Sequence, residues 1–312
     1  MICKLKFQQV NDHNGKTMKK KLLISFSGGR TSAFMTQWII KNLSDEYEMI
    51  VVFANTGKER PETLDFVKRC DEYFNFNCVW IEAITNPKFG IGSRAKVVTY
   101  ETASKNGEPF EQMIAKHGIP NVMNPNCTRE LKRVALRAYC RSIGWKGYYT
   151  AIGYRIDEID RMSPDWQKQK HIYPLISNIP TKKNGINKFW RDMPFDLNLK
   201  TYEGNCDICF KKSDRKIMTL LKENPYLSEW WLQMEEKYNT YIPIGRQKES
   251  LKPPINFFRQ NRSLKVLIEM SKLEFNLAKD ESQFVAFYEQ LSLFDSDLDL
   301  SGGCSSESCE AF

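Results

Sequence analysis

The chain has 312 residues, 41% of them hydrophobic and 12% aromatic, and a formal charge of +8 from 46 basic and 38 acidic side chains. That composition excludes a disordered or fibrous chain and supports a sizeable core, while the positive balance favours a polyanionic partner without naming one. No apolar run approaches the roughly 20 residues that span a bilayer, and residues 1–6 carry no signal-peptide core, so a cytoplasmic chain with no membrane partner is expected.

Residues 1–20 are polar and lysine-rich, and read as an edge strand over 3–10 followed by a loop. Residues 21–24 form an apolar run of strand length, and apolar side chains then recur at helical spacing from Ala33 to Leu43. Between them stands Ser27-Gly28-Gly29-Arg30-Thr31-Ser32. A strand, a Ser/Gly turn and a helix start make a compact anion site. The glycines let backbone approach a phosphate, and the first N–H groups of the helix point at it. The alternative is a tight turn without a ligand.

Residues 49–54 are a near-continuous apolar run, as in a strand buried on both faces. A loop over 55–60 follows, and Pro61 suits the first turn of a helix reaching Phe74. Residues 79–83 read as a third strand, 85–126 as a polar segment that is part helix and part cover of the site, and 128–142 as one helix. Strands are expected again over 148–153 and 172–176. Alternating units of this kind predict an α/β fold with a doubly wound, mainly parallel sheet.

In such sheets ligands bind at the carboxyl ends of the strands. The loops over 27–32 and 55–60, and Gly153-Tyr154-Arg155, all fall at those ends. Thr56 and Gly57 are therefore expected beside a ribose or adenine, with an ordinary turn as the alternative. Arg155 is expected to meet a phosphate or sulfate, and its alternative is an ion pair with Asp157 or Glu158.

From Thr201 the pattern turns helical, over 213–221, 227–238 and 264–275. Three regions are expected: a nucleotide-binding α/β domain over 1–200, a cysteine-containing helical region over 201–295, and an acidic tail over 296–312. Of nine cysteines, Cys70, Cys78 and Cys140 sit among apolar neighbours as core thiols. The C-x-x-C pair Cys206 and Cys209, with Cys304 and Cys309 in the tail, points to metal or redox chemistry rather than structural disulfides. Arg129, Arg133, Arg137 and Arg141 recur every four residues opposite Leu131, Val134, Ala135 and Ala138. That stripe suits a nucleic-acid backbone, or else a plain solvated face. His13, His117 and His171 are scattered, with no partner at ligand spacing.

The loop Ser27-Gly28-Gly29-Arg30-Thr31-Ser32 resembles the Ser-Gly-Gly-x-Asp-Ser loop of the adenine nucleotide alpha-hydrolase, or PP-loop, superfamily. Phe53-Ala54-Asn55-Thr56-Gly57 with Pro61-Glu62-Thr63, and Gly153-Tyr154-Arg155, are similar to segments of its phosphoadenosine phosphosulfate reductase branch. Cys127-Thr128-Arg129 and Gly204-Asn205-Cys206-Asp207-Ile208-Cys209 resemble segments of that branch's iron–sulfur members, including the DNA-phosphorothioation sulfur-transfer proteins. Three departures stand out. Thr31 replaces the Asp of ATP-cleaving members, which removes a carboxylate from Mg²⁺ handling. Arg30 replaces a common Lys and keeps its charge with a fork for phosphate. No His follows Cys304 or Cys309, unlike the nucleophile segment of the dedicated reductases.

The resemblance implies an adenine nucleotide, ATP or phosphoadenylyl sulfate, with Mg²⁺. It would be held by Ser27, Gly28, Gly29, Arg30, Thr31, Ser32, Thr56, Gly57, Gly153 and Arg155. Arg30, Arg155 and Cys304 are the implied catalytic groups. Cys127, Cys206, Cys209 and a fourth thiol, Cys304 or Cys309, suit a [4Fe–4S] cluster or zinc, with free or redox thiols as the alternative. The implied reaction is sulfur transfer onto an activated DNA or RNA substrate, with a sulfur- or electron-donor protein as partner. The alternatives are reductive cleavage of phosphoadenylyl sulfate, and a binding module without turnover.

Overall fold

A computed structural model describes residues 19–247, 252–258 and 262–280. The strand expected over 3–10, the acidic tail, Cys304 and Cys309 lie outside the described residues. The chain enters through strand β1 (Lys20–Ser25) and helix α1 (Arg30–Leu43), then β2 (Tyr47–Asn55), α2 (Pro61–Phe74) and β3 (Val79–Ile84). An antiparallel strand β4 (Arg94–Val98) and helix α3 (Glu108–His117) follow. A π-helical stretch, Thr128–Val134, runs directly into α4 (Ala135–Ser142). Strands β5 (Tyr149–Ala151) and β6 (His171–Ile172) complete a six-stranded sheet in the order β4-β3-β2-β1-β5-β6. Every pairing but β3–β4 is parallel.

Alternation along the strands builds two cores. Leu23, Val52, Ala54, Ile81 and Ala83 face one side, and Leu22, Ile24, Val51, Phe53 and Trp80 face the other. Both faces are covered, which is why β1 and β2 read as unbroken apolar runs. Helices α1 and α2 lie on the second face with α5 (Pro174–Ser177) and α6 (Lys183–Arg191), where Trp190 is 1% exposed. The first face carries α3, the π-helical stretch and α4. It continues without a break into α7 (Asp214–Glu223), α8 (Glu229–Tyr238) and α9 (Leu264–Lys272). The helical region after Thr201 thus shares a core with the sheet. Within it, Phe257 N and Leu264 N donate to the buried Glu235 carboxyl at 2.9 and 2.8 Å.

Three local expectations change. The strand over 172–176 stops at Ile172, because Pro174 opens the one-turn α5 instead. The single helix over 128–142 begins with a wider π turn. The polar segment over 85–126 supplies the antiparallel edge strand, which has only Val98 buried and so carries no clean apolar signal. No helix of the described residues is long and apolar enough to cross a membrane.

From β1 the sheet grows to β2 and β3 on one side and to β5 and β6 on the other. The chain therefore diverges between β1 and β5, the place in such a sheet beyond whose strand ends ligands bind.

Candidate nucleotide and thiol site

The turn after β1 is built for close backbone approach. Gly28 has φ +81°, and a Cβ there would lie 2.9 Å from Thr63 Cγ2, 3.0 Å from Val67 Cγ2 and 3.1 Å from Phe53 Cε2. Gly29 caps α1 without any capping side chain, so the first-turn N–H groups keep their anion-binding character. The loop hydroxyls are ordered among themselves. Ser27 Oγ donates to Ser32 Oγ at 2.9 Å, and Ser32 Oγ donates to Gly29 O at 2.9 Å.

Arg30 is placed differently from the expectation. Its buried guanidinium grips Asp196 through two bonds, Nε–Oδ1 at 2.6 Å and Nη2–Oδ2 at 2.9 Å, and Nη2 also donates to Leu197 O at 2.6 Å. The fork that the sequence offers to phosphate is engaged by an acid 166 residues away. Arg30 therefore anchors the start of α1 to the segment after α6, and its carbonyl accepts from Trp190 Nε1 at 3.0 Å.

Arg155, at the end of β5, makes the ion pairs that were its expected alternative. It is ion-paired with Asp157 at 3.1 Å and Glu158 at 3.3 Å, and its Nη1 donates to Thr31 Oγ1 at 3.2 Å. Gly153 sits close behind, since a Cβ there would meet Ser32 Cα at 3.4 Å. The ends of β1 and β5 are thus in direct contact through Thr31, Ser32, Gly153 and Arg155.

At the end of β2, Gly57 packs against a neighbouring segment. Its φ is +82°, and the space a side chain would fill is occupied by Ser104 Oγ at 2.8 Å, Pro109 Cδ at 3.0 Å and Gly107 Cα at 3.2 Å. The small residue is required by the approach of the 104–109 segment, with no nucleotide needed to explain it. Thr56 turns inward as well, and its N and Oγ1 both donate to Glu59 Oε2 at 2.8 Å.

A strap over 203–207 joins these loops, and the sequence gives no local sign of it. Asn205, fully buried, donates from Nδ2 to Ser27 O at 2.6 Å and accepts at its own carbonyl from Arg60 N at 2.6 Å. Glu203 pairs with Arg60 at 3.2 Å, and Asp207 pairs with Lys58 Nζ at 2.7 Å. Cys206 forms an antiparallel bridge with Glu59. The basic loop 58–60 thus meets an acidic strap, and the C-x-x-C pair is docked beside the phosphate-type turn. Glu59 Oε1, Arg60 Nη1, Thr63 Oγ1 and Asn205 Oδ1 are buried there without hydrogen-bond partners.

Burial pushes the Glu59 carboxyl above the ordinary value of 4.5, opposed by the Lys132 charge and the bonds from Thr56. Its contribution to stability is complete below about 4.5 and is lost as pH rises through the raised value, because the unfolded chain gives up its proton first. Glu59→Gln is expected to flatten the fall in unfolding free energy above pH 4.5. Urea titrations at several pH values up to neutrality check this, and an unchanged pH profile would count against it.

Burial also raises the Cys127 thiol, with Lys211 and Lys132 pulling it down. Lys132 thus acts on both Cys127 and Glu59, and Glu59 is bridged to Cys206. The six described cysteines are all thiols. Among the described residues, no three His, Cys, Asp or Glu side chains are grouped so as to hold a metal ion. The expected fourth ligand, Cys304, lies outside them.

Residues 21–124 match the family profile of the phosphoadenosine phosphosulfate reductase domain. The chain is 29% identical over 297 residues to the uncharacterized nin region protein ORF290 of Escherichia phage lambda, covering 93% of this chain and 94% of that protein. It is 26% identical over 160 residues to the uncharacterized protein MJ0973 of Methanocaldococcus jannaschii, covering 49% of this chain and 32% of that one.

Proposed function

We propose that the chain is an adenine-nucleotide-dependent enzyme of sulfur chemistry, a reading supported by the match of residues 21–124 to the phosphoadenosine phosphosulfate reductase domain. The nucleotide phosphates lie on the turn Ser27–Ser32, and Mg²⁺ enters with them. The preferred reaction is sulfur transfer in which a substrate oxygen is adenylated with release of pyrophosphate and then leaves with AMP as a sulfur nucleophile bonds to the atom that carried it, the substrate being DNA or RNA and the sulfur coming from a donor protein. The observation that carries this reading is the strap, in which Asn205 holds Ser27 O while the next residue, Cys206, pairs with Glu59. The segment that carries Cys206 is thereby tied to the Ser27–Ser32 turn.

The chain's own residues have separate tasks. The first-turn N–H groups of α1 bind and orient phosphate oxygens. Arg155 holds Thr31, and with it the rim of the turn, in place. Arg30 acts only through the fold, by locking α1 to Asp196. Cys127, Cys206, Cys209 and Cys304 are the residues that would hold an iron–sulfur cluster or zinc, and their all-sulfur chemistry suits either. Such a cluster supplies electrons or sulfur when bound. The described residues do not gather three such ligands, so no step is derived through it.

A second reading, reductive cleavage of phosphoadenylyl sulfate with Cys304 as nucleophile, is favoured by the domain match itself. One set of assays on anaerobically purified protein separates the two. ATP–pyrophosphate exchange together with bound iron and sulfide supports sulfur transfer. Sulfite release that disappears in Cys304→Ser supports the reductase. Nucleotide binding with neither activity would reduce the chain to a binding module and overturn both.

A further inference from the structure

The arginine stripe on the π-helical stretch and α4 is not used by the nucleotide site. Arg129, Arg137 and Arg141 are exposed, and Arg133 is half-buried. A spacing of four overshoots an α turn by about 0.4 residue and falls short of the wider π turn. The π-to-α junction at Val134 therefore cancels much of the drift, and the four side chains stay in one line. The opposite face holds Leu131, Ala135, Leu136 and Cys140, each no more than 2% exposed. At an α-helical rise the line is about 18 Å long.

Three of its four charges have no ion-pair partner among the described residues. Arg129 takes the one nearby acid, Glu130, at 2.8 Å. Among the described residues no carboxylate pairs with Arg133, Arg137 or Arg141. Arg133 keeps a buried Nε without an acceptor, and its two neighbours on the stripe press on its charge. Like charges one turn apart repel. A solvated face would normally interleave acids, as the exposed lysines of α9 do when they pair with Glu236 and Glu269.

We propose that Arg133, Arg137 and Arg141 form a docking line for the phosphodiester backbone of a nucleic acid. A regular polyanion matches a regular row of guanidinium forks, each able to bind a phosphate through two N–H groups. The line starts six residues after Cys127, so a strand lying on it is led toward that thiol. The inference rests on the sulfur-transfer reading only for the use made of the bound polymer.

Fluorescence anisotropy with labelled single-stranded and duplex 20-mers, from 50 to 300 mM salt, is the test. The wild-type chain is expected to bind both with affinity falling steeply with salt. The triple variant Arg133→Gln, Arg137→Gln, Arg141→Gln is expected to bind at least 30-fold more weakly at 50 mM salt. Its log–log salt slope should be shallower by about two for single strands and about three for duplex. ATP affinity is expected to be unchanged in that variant. If its melting temperature drops, the pair Arg137→Gln, Arg141→Gln, both exposed, carries the same test with two-thirds of the slope change. The control Lys265→Gln, Lys272→Gln should leave binding intact. No oligonucleotide binding by the wild type, an unchanged slope in the triple variant, an equal loss in the control, or equal binding of poly-glutamate would each overturn the proposal. Failure of the wild type to bind ATP would overturn the nucleotide reading instead and leave this result standing.

Discussion

Gly28→Ala is expected to destabilise the chain by about 2–4 kcal/mol, combining overpacking of a tight site with the left-handed backbone penalty, and to weaken ATP binding at least tenfold. The physical cause is doubly constrained. A methyl group at Gly28 would press on Thr63, Val67 and Phe53 at 2.9–3.1 Å, and all three are at most 1% exposed. Two of these sit on α2 and one on β2, so relief requires moving α2 or the strand end. Either shift also moves the turn that faces the ligand. Urea unfolding gives the first number and calorimetric titration the second. An unchanged midpoint would show that the turn is not packed against α2 as described.

Arg155→Ala is expected to have the next largest effect. Breaking a buried ion pair costs ~3–5 kcal/mol when the partner keeps its charge. Here Asp157 is 35% exposed and Glu158 retains Arg161, which brings the expected loss to about 2–3 kcal/mol. The variant also frees Thr31, so nucleotide affinity should fall together with stability. Arg155→Lys separates the two effects. A single ammonium can face Asp157 and Glu158 but cannot also reach Thr31 with a planar fork. It should recover most of the stability while leaving the affinity reduced. Full recovery of both would remove Arg155 from the site.

These two residues also mark how far the sequence was legible. Gly28 was readable because its signal is local: an apolar strand, a Ser/Gly turn and an amphipathic helix within about twenty residues. The same holds for β2 and β5, and hence for the meeting of three strand ends at one edge. The ion pair of Arg30 is not legible, because its partner, Asp196, is brought in by the packing of α6 on α1 and no nearby residue announces it. The packing of Gly57 is hidden for a related reason. A glycine with positive φ reads the same from sequence whether a ligand or the 104–109 segment lies against it.

The strap was the largest omission. Asn205, Glu203 and Asp207 act on residues of the 27 and 58–60 loops more than 140 positions earlier. Only the complementary charges of Lys58-Glu59-Arg60 and Glu203–Asp207 hinted at it, and charge complementarity without a register is a weak guide. The C-x-x-C pair was recognised for its chemistry, but its place beside the phosphate turn comes from the fold. The π-helical start of the 128–142 helix had no signal of its own, although it keeps the arginines aligned.

The central claim is that the Ser27–Ser32 turn and the Cys206–Cys209 pair belong to one site. It is tested most directly by thiol alkylation with and without saturating ATP, read residue by residue by mass spectrometry. ATP is expected to slow modification of Cys206 and Cys209 several-fold and to leave Cys78, partly buried between α2 and β3, unaffected. ATP that binds but leaves the Cys206 and Cys209 rates unchanged would contradict it.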